Sequence, residues 1–306
     1  MKRVFIIIAN WNGKNDTLQC LASLKKIVRM RNTLAVIVVD NGSTDDSVAA
    51  IKKQHTWVTV IEAGSNLGFT GGNNLGIRYA LEHNADYVWL VNNDTIIESN
   101  ALSLVQAFDD PDVGLAGSKI YFAPGHEFHR NRYVEDDRGK VIWYAGGIID
   151  WANMYASHKG VDDVDKGQYN KTDETQFVTG CSMMVKRGVF DRIGLLDDRY
   201  YLYYEDLDFC LRARKTGYKL LYMPSSVVWH VNAGSSGRPG NVTHQYYQTR
   251  NRLLIGMKYA PLRTKVALLR ESLGYLAGKE KIKRKAVVDY FTGRLGKQYE
   301  PGKTNH

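Results

Sequence analysis

Four stretches of this chain hold residues whose types and spacing suit chemistry. In the first, Asn92, Asn93 and Asp94 close the apolar run 87–91, YVWLV. A bulky run this short reads as a buried parallel strand, and open α/β sheets place ligands at the carboxyl ends of such strands. A carboxylate beside two amides at that edge suits a metal ion and a nucleotide; the competing explanation is a simple Asn/Asp turn. Asp40 ends the run 35–39 in the same way, so a parallel sheet would bring both carboxylates to one edge. There a carboxylate can accept hydrogen bonds from a base N–H or ribose hydroxyls. Beside a diphosphate it is useful only through a cation, because the two anions repel. Asp40 could instead merely open the turn that follows it.

The third stretch, 64–76, carries five glycines. It has neither the Walker Gly-Lys-Ser/Thr nor the dinucleotide fingerprint at its proper spacing, which disfavours kinase-type and NAD chemistry. Its glycines would admit a ligand close to the backbone, and a helix starting near Thr70 would offer free N–H groups. In the fourth, YLYYEDLDFCLRARKTGY (201–218), Glu205, Asp206 and Asp208 follow an aromatic cluster and enter a helix. The helix dipole alone would explain acids in a first turn. Adjacent Glu205 and Asp206 nevertheless point in different directions, so one can face a pocket as proton acceptor while backbone or Arg partners hold the other. His230 follows the short run 227–229. A lone His is more often structural than a ligand, but Asp94 has no second carboxylate beside it in sequence, and a divalent ion needs more than one protein ligand.

The elements that must position these residues alternate through the first third. Runs 4–9, 35–39, 57–61 and 87–91 are apolar and rich in β-branched residues; each is followed by a polar loop and at least three by a helical pattern. That order predicts a parallel sheet with crossover helices. Ser43 or Thr44 is the expected cap of the helix through Val48 and Ile51. Beyond a helix at 101–108 the alternation weakens, with a short strand at 113–116, unpatterned polar loops at 124–138 and 158–175, and extended segments at 141–149 and 176–185. A helix over 205–215 and two short strands, 218–222 and 227–229, complete the body.

At 306 residues and 44% hydrophobic composition, the chain can fill one large core. Cys20, Cys181 and Cys210 lack C-x-x-C spacing, so neither a disulfide framework nor a zinc cluster is indicated, and a reducing, cytoplasmic compartment fits. No run approaches the ~18 apolar residues of a membrane span, so a soluble or peripheral protein is expected. Of the net charge of +9, residues 258–306 hold twelve Lys/Arg against four Asp/Glu, which leaves the rest nearly neutral. A nucleic-acid binder would carry its basic residues around a reading surface. In this tail Leu262, Val266, Leu269, Leu273 and Leu276 recur at helical spacing with Arg263, Lys265 and Arg270 off the stripe. Such a helix either packs on the body with a solvated basic face or contacts anionic lipid peripherally.

The strings VDNGSTDDS, SNLGFTGGNNLGIRYA, LVNNDT, TGCSMMVKR, IGLLDDRYYLYYEDLDFCLR and WHVNAGSS, in that order, resemble the bacterial family 2 glycosyltransferases of GT-A fold. Within that family the likeness is to rhamnosyltransferase-like enzymes of cell-surface polysaccharide assembly, and it spans about residues 4–257. The resemblance implies a mixed, mainly parallel α/β sheet flanked by helices. A nucleotide-binding half, 1–117, precedes an acceptor-binding and catalytic half, 118–257, and a basic helical tail, 258–306. It implies nucleotide contacts at Ala9, Asn10, Asp40, Asn66, Asn92 and Asn93, and a Mg²⁺ or Mn²⁺ ion on Asp94 and His230. Asp206 matches the catalytic base, with Glu205 supporting it. Asn92 stands where the family's Asp-x-Asp motif has its first acid, so it adds no charge and leaves the ion to Asp94, His230 and the diphosphate. The implied reaction is an inverting transfer from a dTDP- or UDP-sugar to a saccharide hydroxyl; a lipid-linked acceptor would make a peripheral contact of the tail with the inner face of the cell membrane useful. A sugar-phosphate nucleotidyltransferase and a non-catalytic sugar-nucleotide or membrane-binding module are the alternatives; the first would want a Gly-rich amino-terminal loop with Arg and Lys, which NWNGKN does not supply.

Overall fold

The structure is a computed structural model and describes residues 1–231 and 240–299. Residues 232–236 of the WHVNAGSS string and the end of the tail, 300–306, lie outside the described residues. The first four apolar runs form β1 (Arg3–Asn10), β2 (Thr33–Asp40), β3 (Thr59–Glu62) and β4 (Tyr87–Val91). Between them run α1 (Lys14–Leu24), α2 (Ser47–Gln54) and α3 (Gly68–Glu82). β1 pairs in parallel with β2 and β4, and β2 with β3, so the carboxyl ends of these strands share one edge. β4 is buried at every position, which is why its sequence lacks the alternation of a half-exposed strand.

Two local expectations change here. Ser43 and Thr44 do not cap α2; the helix starts at Ser47, whose N–H donates to Asp45 Oδ1 (3.1 Å). Gly76 of α3 serves packing, because a Cβ there would stand 2.4 Å from Ile7 Cγ2 of the sheet, whereas Gly68 lines the cavity described below. The amides at the start of α3 are engaged within the protein: Gly68 N–H donates to Asn66 Oδ1 (2.8 Å) and Thr70 N–H to the Tyr201 carbonyl (3.2 Å).

The second half supplies β5 (Thr95–Ile97), a 3-10 helix (Ala101–Asp109) and β6 (Val113–Phe122). Next come β7 (Ile142–Tyr144), β8 (Gly147–Asp150), β9 (Tyr155–His158), β10 (Asp173–Glu174) and β11 (Ser182–Lys186). Helices α4 (Arg187–Ile193) and α5 (Glu205–Lys215) precede β12 (Lys219–His230). The main sheet runs β10-β12-β6-β11-β4-β1-β2-β3, with β5 on β12 and β7 on β6, while β8 and β9 form a separate hairpin. It is mixed: β11 is antiparallel to both β4 and β6, whereas β6 and β12 are parallel.

β6 runs well past the expected 113–116. Ser118 and Lys119 interrupt its apolar pattern, yet both are buried and satisfied. Ser118 bonds to Ser182 and Ser226 (both 2.7 Å), and Lys119 Nζ donates to Asp165 (2.7 Å). The two expected strands 218–222 and 227–229 are one strand, β12, whose register jumps between Met223 and Val227 around Pro224. Proline has no N–H for the ladder, so a bulge is where it is tolerated.

The chain ends in α6 (Val242–Tyr259), α7 (Leu262–Ala277) and α8 (Lys281–Phe291). α7 does not pack through its apolar stripe. Thr264, Leu268 and Ser272 face inward, while Leu262, Val266, Leu269, Leu273 and Leu276 are exposed. Among the described residues no helix is long and apolar enough to cross a membrane.

Candidate active site

A cavity of about 700 Å³ opens at the carboxyl edge of β1 and β4. It is lined by Ala9, Asn10, Asn66, Asn92, Asn93, Asp94, Glu205, Asp206 and His230, residues drawn from both halves of the chain. Asp40 is the exception among the expected site residues. It is buried behind Asn10, whose Nδ2 donates to Asp40 Oδ1 (2.8 Å), and its other oxygen accepts from Ser43 N–H (2.9 Å). Asp40 thus fixes the amide of Asn10, which also accepts from Thr17 Oγ1 (2.7 Å). Asn93 Nδ2 donates to the same Thr17 hydroxyl (3.1 Å), so one buried threonine couples the ends of β1 and β4.

Asp94 and His230 stand 136 residues apart in sequence and meet because β5 pairs antiparallel with β12 in the register Thr95↔His230. His230 Nε2 lies 3.2 Å from Asp94 Oδ1, and both side chains are nearly buried. Among the described residues His230 Nδ1 is buried with no hydrogen-bond partner, and the Trp143 ring meets the imidazole edge-on at 4.6 Å. Burial pushes the Cys20 thiol up to about 12 and the Cys181 thiol well above its usual value. Among the described residues no three His, Cys, Asp or Glu side chains converge as a metal site. A carboxylate and an imidazole that meet at this edge would fit a divalent cation drawing its other ligands from substrate oxygens and water.

The second carboxylate centre lies at the start of α5. Asp206 Oδ2 accepts from Gly180 N–H (3.0 Å) and Oδ1 from Leu207 N–H (2.7 Å). Desolvation raises its pKa above the ordinary Asp value, and these N–H groups oppose the rise. Glu205 is buried with Oε2 unpartnered; burial first and the Asp206 charge second hold its pKa well above the usual carboxylate range. The N–H groups of Gly180 and Leu207 favour the ionised form of Asp206, whereas Glu205 Oε2 has no such donor among the described residues. Residues 179–181 tie the two centres together, because Gly180 N–H binds Asp206 while the Cys181 carbonyl accepts from Asn92 N–H (3.0 Å).

The support beneath α5 escaped the sequence reading. Tyr201, Tyr203 and Tyr204 all have positive φ (65°, 69° and 71°), costly for residues with a Cβ. Two buried side chains of α6 hold this loop. Asn251 Nδ2 donates to the carbonyls of Tyr200, Leu202 and Tyr203 (3.0, 2.8 and 2.9 Å). Arg250 Nη2 donates to Arg199 and Tyr200 carbonyls (3.0 and 2.9 Å) and its Nε to Asn251 Oδ1 (2.9 Å). A signal existed: Tyr246, Tyr247, Arg250, Asn251 and Leu254 repeat at helical spacing, which puts an Arg and an Asn on the inward face. Asp16, in the first turn of α1, was also missed; partial burial, then the Asp94 charge, raises its pKa.

The remaining cavity wall is aromatic. Trp143, Tyr155, His158 and Phe177 line it, and burial pushes His158 down to about 4, so its ring is neutral at pH 7.

The mixed, mainly parallel sheet flanked by helices is of the GT-A type, the fold of nucleotide-sugar glycosyltransferases. The chain belongs to the glycosyltransferase like family 2, whose model matches residues 2–253. It is 24% identical over 212 residues to a low-salt glycan biosynthesis hexosyltransferase of Haloferax volcanii, covering 69% of this chain and 61% of that protein. It is 26% identical over 232 residues to the N-acetylglucosaminyl-diphospho-decaprenol L-rhamnosyltransferase of Mycobacterium tuberculosis, covering 71% and 72% of the two chains. The fold matches that of the mannosyltransferase PcManGT from Pyrobaculum calidifontis in complex with GDP-Man and Mn²⁺, with a TM-score of 0.54, 16% identity, and coverage of 95% of this chain and 74% of that one.

Proposed function

We propose that this protein is an inverting, metal-dependent glycosyltransferase that moves a sugar, rhamnose being one case, from a dTDP- or UDP-sugar to a hydroxyl of a saccharide. The observation that carries this reading is the convergence of the Asp94–His230 pair and the Glu205–Asp206 pair on one cavity at the carboxyl edge of the parallel strands. Ala9, Asn10 and Asn66 line the nucleotide side, with Asp40 orienting Asn10 from behind. Asn92 and Asn93 line the cavity beside Asp94, where the diphosphate would lie. A divalent cation held by Asp94 and His230 would supply positive charge for the departing diphosphate.

Asp206 is the base that takes the acceptor hydroxyl proton. Its raised pKa makes it a stronger base than a solvated Asp, while its two N–H bonds keep it ionised and oriented. Glu205 stays neutral beside it and spares the site a second buried charge. One base without a separate nucleophile gives direct displacement at the anomeric carbon, hence inversion, by the same carboxylate logic that separates inverting from retaining glycosidases. The aromatic wall of Trp143, Tyr155 and Phe177 suits the C–H face of an acceptor sugar. On this reading the acceptor is lipid-linked and the enzyme works at the cytoplasmic surface of a membrane, in the assembly of a cell-surface polysaccharide.

The test is nucleotide release with Mn²⁺ or Mg²⁺ across a panel of dTDP-, UDP- and GDP-sugars. Release of a nucleoside diphosphate that depends on metal and acceptor is expected. Release of inorganic diphosphate from a nucleoside triphosphate and a sugar phosphate would make the protein a nucleotidyltransferase instead.

A further inference from the structure

The outward face of α7 is unusual for a helix of a globular body. Three polar or small-contact positions face in: Thr264 Oγ1 donates to the Trp151 carbonyl (2.9 Å), Ser272 bonds within the helix, and Leu268 packs where Gly256 of α6 has no Cβ. Five aliphatic side chains spaced by four, three, four and three face water, with Leu262 and Leu273 exposed by 77% and 65%. A contiguous apolar stripe of this kind marks an interaction surface. Arg263 and Arg270, seven residues apart, share one flank of it.

Charge says what the surface meets. From 262 to 291 the chain has eight Lys/Arg and three Asp/Glu. Each of those acids is already paired: Glu271 with Arg252 (2.9 Å), Glu280 with Lys283 (2.8 Å) and Asp289 with Lys285 (3.0 Å). The field over this face is therefore positive. α8 packs on α7 and adds a second mixed face, on which Lys281, Arg284, Val288 and Phe291 are exposed at helical spacing.

The face also adjoins the cavity. The β8–β9 hairpin, held to α7 by the Thr264–Trp151 bond, exposes Ile148, Trp151 and Tyr155. Tyr155 lines the cavity and stacks under Arg252 (4.1 Å), which in turn binds Glu271 of α7. Aliphatic residues, a Trp and a Tyr, and basic side chains together are the composition that seats in the headgroup region of a bilayer.

We propose that the α7 stripe, with the β8–β9 hairpin beside it, docks on an anionic lipid bilayer and presents the cavity mouth to a membrane-borne acceptor. The docking stands on exposure and charge; its purpose rests on the transferase reading. The test is flotation of the full chain, without donor or acceptor, on vesicles of phosphatidylcholine with or without about a third phosphatidylglycerol. Binding to the anionic vesicles is expected. Leu269→Gln/Leu273→Gln/Leu276→Gln and Arg263→Gln/Lys265→Gln/Arg270→Gln should each weaken it by roughly tenfold or more, since a basic residue near such a surface contributes about a fivefold factor. Lys265 is half-buried and the other five positions are exposed, so melting temperature and nucleotide release should match the parent. Equal flotation of parent and both variants would overturn the proposal. So would a dimer in light scattering that the leucine variant dissolves, which would assign the stripe to a second copy. Failure of nucleotide release with flotation intact would instead count against the transferase reading.

Discussion

Two carboxylate centres face one cavity and are built in opposite ways. Asp94 meets a histidine at 3.2 Å at the end of parallel strands, an arrangement that gathers charge and invites a cation. Glu205 and Asp206 sit at a helix start among tyrosines, where desolvation raises both pKa values and favours keeping a proton. On the proposed reading the difference teaches that identical side-chain chemistry is assigned by surroundings: one carboxylate to hold charge, the other to move a proton.

The sharpest break of this division is Asp206→Asn. Turnover should fall by about 10²- to 10⁴-fold, the usual worth of a general base, in a steady-state nucleotide-release assay. Asp94→Asn should act on the other centre, lowering the apparent Mn²⁺ affinity in metal titrations by at least the roughly 10- to 100-fold typical of disturbed metal sites.

Asn251→Ala tests the support. It strips three buried carbonyls of one donor group, so a loss of about 1–3 kcal/mol per unmet group is expected at the upper limit, visible in denaturant melts. If Asn251 positions α5, kcat should fall while nucleotide affinity holds; equal losses in both would mean general destabilisation.

Glu205→Gln should have the smallest effect on rate, within about tenfold, because Gln mimics the protonated acid. Its signature is in pH. A carboxyl with a raised folded pKa binds more protons folded than unfolded, so stability falls as pH rises above the unfolded value of about 4.3. The variant should therefore be more stable than the parent at pH 8, and the gain should vanish below about pH 4. For turnover, Asp206 must be ionised, so the acid limb should lie above the ordinary Asp value of about 3.9 and stay in place in Glu205→Gln.

Much of this was legible in sequence where local pattern and burial agree. The first four strands and α5 fall where apolar runs and first-turn acids put them, because fully buried parallel strands read as unbroken apolar runs. β6 and β12 were cut short because Ser118, Lys119 and Pro224 break the pattern, and only tertiary partners show that the breaks are satisfied. α7 was open from sequence: its stripe suits a packing face or an outward one, since periodicity reveals that a helix has an apolar side but not what covers it, and the stripe turns outward. At the site, the meeting of Asp94 with His230 depends on the β5–β12 register, and the buried Arg250–Asn251 pair on the path of one tyrosine loop. Neither is a local property.

The division of labour is tested most directly by isothermal titration of UDP or dTDP, with and without Mn²⁺, into Asp206→Asn and Asp94→Asn side by side. Asp206→Asn should bind nucleotide with the metal dependence of the parent although its turnover is lost, and Asp94→Asn should lose the metal-dependent part of binding. Metal-dependent binding that survives in Asp94→Asn and disappears in Asp206→Asn would contradict the account.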